Sequence, residues 1–92
     1  MSNIPSTSAL LSFRIAAKHL SFLQAAQERN VTPGAISRQI QTLEDMLGTR
    51  LFQRRHKGVE LTPQGRDYLA EIVTPLDHLA AATARIQGEQ TS

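Results

Sequence analysis

The sequence feature that most constrains the fold is a stripe of large aliphatic residues in the segment between Thr32 and Gly48. Four such residues recur at spacings of four, three and four, namely Ile36, Ile40, Leu43 and Leu47. This spacing places them on one face of an α-helix. Thr32 followed by Pro33 is a typical helix start, and Gly48 is a typical helix end. We therefore predict a helix over residues 33–47 with one buried face.

Two shorter helices are predicted before it. Residues 22–29 form the nearer one, with Ser21 as its N-cap and Asn30 as a residue that tolerates the left-handed conformation at a helix end. Its inward residues are expected to be Phe22, Ala25 and Ala26, followed by Val31 buried in the turn. Two helices joined by a tight turn form a helix-turn-helix. Residues 7–19 form the first helix, capped at Ser6, Thr7 or Ser8, with inward residues Leu10, Phe13, Ala17 and Leu20.

A β-hairpin is predicted after these helices. Residues 51–54 and 59–62 are its short strands, and the polar turn between them ends in Gly58. Four basic residues fall within eight positions, namely Arg50, Arg54, Arg55 and Lys57. Such a tip suits contact with a phosphate backbone or a minor groove. The alternative interpretation is a charged sheet edge that discourages aggregation.

A long helix is predicted over about residues 63–88, with a bend at Pro75 and a frayed end from Gly88 to Ser92. Its apolar positions follow an a/d heptad pattern: Leu69, Ile72, Leu76, Leu79, Thr83 and Ile86. This seam predicts a homodimer, and the alternative is that it packs against the first helix of the same chain. The domain organisation is thus a body at residues 1–62 and a dimerisation helix with its end at residues 63–92.

Composition favours a mainly α-helical, cytoplasmic protein. The core must be aliphatic, since 40% of the residues are hydrophobic but only 4% are aromatic. There is no cysteine for a disulfide or a thiolate metal site, no apolar stretch long enough to span a membrane, and no signal-peptide pattern at the start. Residues 14–66 carry nine basic and four acidic groups, whereas residues 67–92 carry one and four. Only the basic body is expected to approach a polyanion.

The outward face of the third helix carries hydrogen-bonding side chains suited to base edges in a major groove. If Ile36 and Ile40 are buried, Gly34, Arg38 and Gln41 point nearly opposite and Ser37 lies on the flank. Catalysis finds no comparable support. The three histidines are far apart, no nucleophile has an evident base, and Glu44 and Asp45 are expected to be surface charges, so we expect no enzyme, no cofactor and no metal site.

The ordered residues that carry these features resemble the N-terminal domain of LysR-type transcriptional regulators over roughly residues 8–86. They are Leu20-Ser21-Phe22, Ala25-Ala26, Val31-Thr32, Ala35 to Ile40, Leu43-Glu44, Leu47-Gly48, Leu51-Phe52, Arg54-Arg55, Leu61-Thr62-Pro63 and Gly65. Residues 16–22 and 54–62 look most similar to the glycine-cleavage activators of that family. The resemblance implies a winged helix-turn-helix of three helices and a two-stranded wing, followed by a dimerising linker helix.

The resemblance also implies a function and its residues. Family members bind interrupted palindromes in double-stranded DNA as homodimers, which can pair into tetramers in full-length proteins. Their effector site is in a separate C-terminal domain, so no small-molecule effector is expected for this chain. Together with the outward face, the resemblance assigns base reading to Thr32, Pro33, Gly34, Ser37, Arg38 and Gln41. The DNA backbone is assigned to helix starts and the wing, namely Ser21, Gln24, Gln39, Arg54, Arg55, His56, Lys57 and Thr62.

Two departures from the family pattern affect the expected DNA contacts. Many members have glutamine where this chain has Pro33, and proline cannot make that amide's base contact, so the operators of relatives do not carry over. Leu23 and Gln24 also differ from the common pattern, which affects the DNA-backbone contacts of the second helix more than its fold. The alternative function is a dimeric protein-interaction module whose helix-turn-helix no longer binds DNA.

Overall fold

Four helices and one antiparallel hairpin make up the fold. The structure is a computed structural model that describes residues 3–91, with side chains described for residues 3–88. The elements, in chain order, are α1 (Thr7–His19), α2 (Phe22–Arg29), α3 (Pro33–Leu47), β1 (Phe52–Arg54), β2 (Val59–Leu61) and α4 (Pro63–Thr91). The strands pair with Phe52 opposite Leu61 and Arg54 opposite Val59. The predicted mainly helical architecture with a two-stranded wing is confirmed. No helix in this part of the chain is both long and apolar enough to cross a membrane.

Side-chain caps determine where the first three helices start. The Oγ atoms of Ser6 and Ser21 accept hydrogen bonds from the backbone N–H groups of Ala9 and Gln24, each at 3.1 Å. Thr32 caps α3 in the same way, and Pro33 follows at the first turn. The ends are left-handed residues, with φ of 51° at Leu20, 58° at Asn30 and 72° at Gly48. Ser21, Asn30, Thr32 and Gly48 are thus used as predicted, Ser6 is the one used of the three candidates at α1, and the left-handed end at Leu20 was not predicted.

The core lies where the three helices meet the wing. Its buried members are Leu10, Phe13, Ala16, Ala25, Ala26, Ile36, Ile40, Leu43, Leu51, Phe52 and Leu76. The ring of Phe52 lies edge-on to both Phe13 and Phe22, at centroid distances of 5.5 and 5.3 Å. Tyr68 of α4 contacts Phe13 as well, and partial burial raises the pKa of its hydroxyl.

Two residues expected in the interior are exposed instead. Leu20 is 44% exposed because it is the left-handed residue that ends α1, and Ala16, one turn earlier, takes the inward position. Val31 is 43% exposed, although its N–H bonds to the carbonyl oxygen of Ala26 at 3.0 Å. The turn is therefore held by its backbone rather than by a buried valine side chain. Both predictions were wrong: the helical spacing that placed Leu20 inside ends at this left-handed residue, and Val31 was expected to fill a turn that backbone bonds hold instead.

The wing is attached to the body near its tip, and its two ends are bonded to each other. The N–H of Val59 donates to the carbonyl oxygen of Leu20 at 3.2 Å, and the N–H of Thr62 donates to that of Leu51 at 3.0 Å. Gly58 has φ of +85°, and a Cβ there would lie 2.5 Å from the carbonyl oxygen of Leu20. These contacts supply the support that a two-stranded hairpin lacks in isolation.

Helix α4 starts in close contact with the body. Gly65, in its first turn, is buried, and a Cβ at this position would overlap the carbonyl oxygen of Leu51 and lie 3.1 Å from a methyl carbon of Leu61. Only glycine allows the helix backbone to approach the start of the wing this closely. The body and the base of α4 therefore form one packed unit.

The predicted heptad seam divides into two parts. Leu69 and Ile72 are half-buried against the core and Leu76 is only 5% exposed, as in the alternative in which the seam packs within the chain. An ion pair of 2.8 Å between Arg14 and Asp77 adds a tie to α1. Beyond it, three seam positions are exposed, and we call them the outer seam: Leu79, Thr83 and Ile86.

The helix also extends further than expected. It continues through Pro75 and Gly88 to Thr91, beyond the expected end at residue 88; the frayed end stays a prediction, and Ser92 lies outside the described residues. Proline at position 75 has no N–H to donate, but its ring lies on an exposed face of the helix. The bend at Pro75 stays a prediction.

Candidate nucleic-acid interface

The exposed face of α3 carries all six residues assigned to base reading. Ile36 and Ile40 are at most 2% exposed. The opposite face and the helix start are exposed at Thr32, Pro33, Gly34, Ser37, Arg38 and Gln41. We call these six residues the recognition face. Gly34 leaves open space at the helix start, since the nearest atom to a Cβ there would be 4.0 Å away.

The wing and α3 line one open hollow, which we call the interface hollow. Ser37 and Gln41 contribute to it from α3, and Ser21 and Leu23 contribute from the start of α2. The wing contributes Arg54, Arg55 and His56. The structure therefore brings part of the recognition face and the basic wing together on one side of the molecule. Arg38 is exposed on the same helix but is not among the lining residues.

Three cations of α3 and the wing are available to an external anion. Within the part of the chain that the structure describes, Arg38, Arg54 and Lys57 have no carboxylate within 4.0 Å. Arg55 differs, since its Nη2 lies 2.7 Å from an oxygen of Glu60 on the neighbouring strand. Arg54 and Lys57 are thus better placed than Arg55 to bind phosphate without first breaking an ion pair.

Two residues assigned to the DNA backbone have other roles in the structure. The Thr62 side chain is buried, donates to the carbonyl oxygen of Arg50 at 2.6 Å and accepts from the N–H of Gly65 at 2.9 Å. Gln39 is half-buried and contacts α1: its Nε2 donates to Ser8 at 3.1 Å, and its Oε1 accepts from the hydroxyl of Ser12. The Thr62 hydroxyl is fully used inside the chain, whereas the Gln39 Nε2 keeps a second N–H, and the two phosphate assignments stay predictions.

The other assigned residues at α2 remain accessible. Gln24 is exposed, and the backbone N–H groups at the start of α2 lie beside the interface hollow. The Ser21 Oγ, however, already caps the helix, so only its hydroxyl hydrogen is left to contact an anion.

At the far end of α2, hydrogen bonds from His19 first and then Lys18 lower the pKa of Glu28. This ion-pair cluster joins α1 to α2 without taking part in the interface hollow.

Glu44 is a structural residue that the sequence analysis missed. Its Oε2 accepts from the N–H of Leu51 at 2.8 Å and from that of Phe52 at 3.3 Å, and its side chain is 12% exposed. The Arg50 Nε lies 3.6 Å from its other oxygen. The carboxylate thus fixes the start of the wing to the last turns of α3. A glutamate one position after the buried Leu43 was the available signal, because this position lies at the edge of the buried stripe.

We expect Glu44→Ala to lower the free energy of unfolding by about 2 kcal/mol, because two nearly buried N–H groups lose a charged acceptor. Urea denaturation followed by circular dichroism measures the change. Asp45→Ala is the matched control, since Asp45 is the exposed neighbour and its loss should change stability by less than about 0.5 kcal/mol. Equal effects of the two substitutions would show that Glu44 does not support the wing.

A helix-turn-helix with a polar, exposed second helix and a basic hairpin beside it defines a winged helix-turn-helix, a class of DNA-binding domain. Residues 7–66 match the family described as bacterial regulatory helix-turn-helix protein, lysR family. The chain belongs to this family, and it is a DNA-binding regulator domain of the LysR type.

Curated relatives and solved structures agree with this placement. The chain is 44% identical over 84 residues to the glycine cleavage system transcriptional activator of Escherichia coli K12 and 40% identical over 80 residues to the activator AmpR of Pseudomonas aeruginosa. The alignments cover 91% and 87% of this chain, but the chain spans only 28% and 27% of the length of those relatives. These relatives are transcriptional regulators.

Two structural relatives are complexes with DNA. Vibrio fischeri DarR in complex with DNA superposes with a TM-score of 0.81 and 36% identity, over 94% of this chain and 30% of that one. The CbnR_DBD–DNA complex superposes with a TM-score of 0.79 and 29% identity, over 98% of this chain and 99% of that one. The overlap with CbnR_DBD shows that nearly the whole chain has a counterpart in a single DNA-bound relative.

Proposed function

We propose that this chain binds double-stranded DNA in a sequence-specific manner as a homodimer, on an operator made of two inverted half-sites separated by a spacer. The observation that carries the proposal is the interface hollow, where Ser37 and Gln41 of the recognition face meet the basic wing. Base-reading groups and phosphate-binding groups lie side by side there. The solved DNA complexes of DarR and CbnR_DBD support it.

Each part of this surface suits one component of a duplex. Arg38 is proposed to donate to guanine, and Ser37 and Gln41 to bond with base edges, with Thr32, Pro33 and Gly34 admitting the start of α3 into the groove. Arg54, Arg55, His56 and Lys57 are proposed to contact phosphate, as are the α2 start at Ser21 and the side chain of Gln24. In this division the wing supplies affinity and α3 supplies specificity.

The outer seam is proposed to form the dimer. Leu79 and Ile86 are 56% and 50% exposed, and no element of the described chain covers them. Two copies of α4 packed through these residues would relate the two bodies by a two-fold axis. The two recognition faces would then read inverted half-sites about one duplex turn, or a multiple of it, apart. Residues 1–62 are thus proposed as the DNA-binding part and residues 63–92 as the dimerising part.

Selection of bound sequences from a pool of random duplexes tests the proposal. We expect enrichment of an inverted repeat with a fixed spacer, and an affinity that falls steeply with salt, by about 0.9 units of log–log slope for each phosphate contacted. The rival function, a protein-interaction module, predicts no enriched motif and little salt-sensitive affinity. That result would contradict sequence-specific DNA binding.

We expect Arg38→Ala to weaken binding to the selected duplex by about 1–3 kcal/mol, with a much smaller loss on random duplex, because a guanine contact is made only at the right site. Fluorescence anisotropy on both duplexes measures the two losses. Arg54→Ala is the comparison: it should weaken both duplexes alike and flatten the salt slope by about one unit. Equal losses for Arg38→Ala on the two duplexes would show that Arg38 binds phosphate instead.

A further inference from the structure

Leu23 is an exposed apolar residue within an otherwise polar and cationic surface. It occupies the second position of α2, its side chain is 57% exposed, and it lines the interface hollow. Its exposed neighbours in the hollow include Ser37, Gln41 and Arg54. A single exposed leucine is ordinary on a protein surface, so its position rather than its exposure needs an explanation.

The fold does not use the Leu23 side chain. The neighbouring α2 residues Phe22, Ala25 and Ala26 supply the contacts with the core, and Leu23 belongs neither to the buried core nor to the half-buried residues around it. A polar residue at this position would leave those contacts intact. The isobutyl group is therefore available to a partner that fills the hollow.

A duplex offers few apolar groups to such a side chain. In the major groove the base edges present hydrogen-bonding atoms, with the 5-methyl group of thymine as the apolar exception. Deoxyribose is the other apolar surface, but it lies along the backbone. Leu23 shares its hollow with Ser37 and Gln41, which the function proposed above directs at base edges. Arg54 and Arg55, which that function directs at phosphate, line the same hollow; contact with the sugar is therefore the competing outcome, and it predicts no sensitivity to loss of the thymine methyl.

We propose that Leu23 is a specificity-determining residue that contacts the methyl group of a thymine in each half-site. The proposal rests on the DNA-binding function proposed above and adds one element to it: a preference for thymine read by apolar contact rather than by hydrogen bonds. Leu23 and the recognition face then read different positions of the same half-site. The operator should contain a thymine whose replacement by deoxyuridine, which lacks only the methyl group, weakens binding.

The test is a thymine-to-deoxyuridine scan of the selected duplex, with both half-sites altered together. For the unaltered protein we expect one thymine position at which deoxyuridine weakens binding by about fourfold per half-site, the equivalent of one methyl group removed from an apolar contact. Leu23→Ala should bind the thymine duplex with this reduced affinity and should no longer distinguish thymine from deoxyuridine. Anisotropy titrations measure four affinities, namely those of the unaltered protein and of Leu23→Ala, each for the thymine duplex and for the deoxyuridine duplex.

Ile4→Ala is the matched control, since Ile4 is 72% exposed and lies outside the interface hollow. It should keep the full sensitivity to deoxyuridine, and thermal melts should show that both variants fold as the unaltered protein does. If Leu23→Ala keeps that sensitivity, if it weakens random and selected duplexes alike, or if no thymine methyl matters, the inference is overturned while specific DNA binding stands. Absence of any selected sequence would overturn the proposed function as well.

Discussion

Replacing Leu79 and Ile86 together by aspartate is expected to give monomers that bind a palindromic duplex at least about a hundredfold more weakly than the unaltered dimer. Both side chains are about half-exposed, and they lie on the part of α4 that extends beyond the packed body. Two pairs of carboxylates would face each other across the proposed two-fold axis, where apolar contact would otherwise hold the helices together. Each half-site would then bind its protein independently.

Sedimentation equilibrium and anisotropy on full and half operators measure the two consequences. Ala81→Asp combined with Ala84→Asp is the matched control, because it adds the same charge to exposed positions on the opposite side of α4. The control should stay dimeric and bind as before. Leu76→Asp is unsuitable for this purpose, since Leu76 is 5% exposed in the chain's own core and its loss would unfold the body. If the Leu79/Ile86 double variant stayed dimeric, the outer seam would not be the dimer interface.

Gly65→Ala is expected to lower the free energy of unfolding by about 3 kcal/mol or more, toward the upper end of overpacking effects. A Cβ at this position would overlap the Leu51 carbonyl oxygen and lie 3.0 Å from the Leu51 carbonyl carbon, and backbone atoms cannot move aside as a flexible side chain can. The first turn of α4 would have to move away from the wing. The Thr62 hydrogen bonds to Arg50 and Gly65 would be lost with that movement.

Urea denaturation measures the loss, and Gly34→Ala is its control. A Cβ at Gly34 would have no neighbour closer than 4.0 Å, and alanine favours a helix more than glycine does, by up to about 1 kcal/mol. Gly34→Ala should therefore keep or raise stability. If the two substitutions had the same effect, the close approach of α4 to the wing would not be a source of stability.

The helices could be predicted from the sequence because their limits depend on local interactions. Ser21, Thr32 and Gly48 each act on the backbone within a few residues, and the structure uses all three as caps. The face of α3 was equally predictable, because Ile36, Ile40 and Leu43 recur with the helical period. From this face the exposure of the base-reading residues follows directly.

The remaining features depend on contacts between distant parts of the chain. Glu44 and Gln39 look like surface residues, and only the packing of α3 against the wing and α1 shows that their polar atoms are used internally. The sequence located the heptad seam on α4, but the spacing of its residues does not say whether the same chain or a second copy packs against them. The body of the same chain covers Leu76, whereas the outer seam is exposed and is therefore the part proposed to contact a second copy.

Helix α4 is continuous between the packed residue Leu76 and the exposed residue Leu79, and this continuity has a consequence for the operator. In the proposed dimer a single rigid rod fixes the angle at which each body is presented to the duplex. Inserting one residue after Leu76 would rotate the outer seam by about 100° around that rod and tilt the two bodies relative to each other. In that proposed dimer, the spacer length between half-sites would be set by a helix to which no DNA contact is assigned.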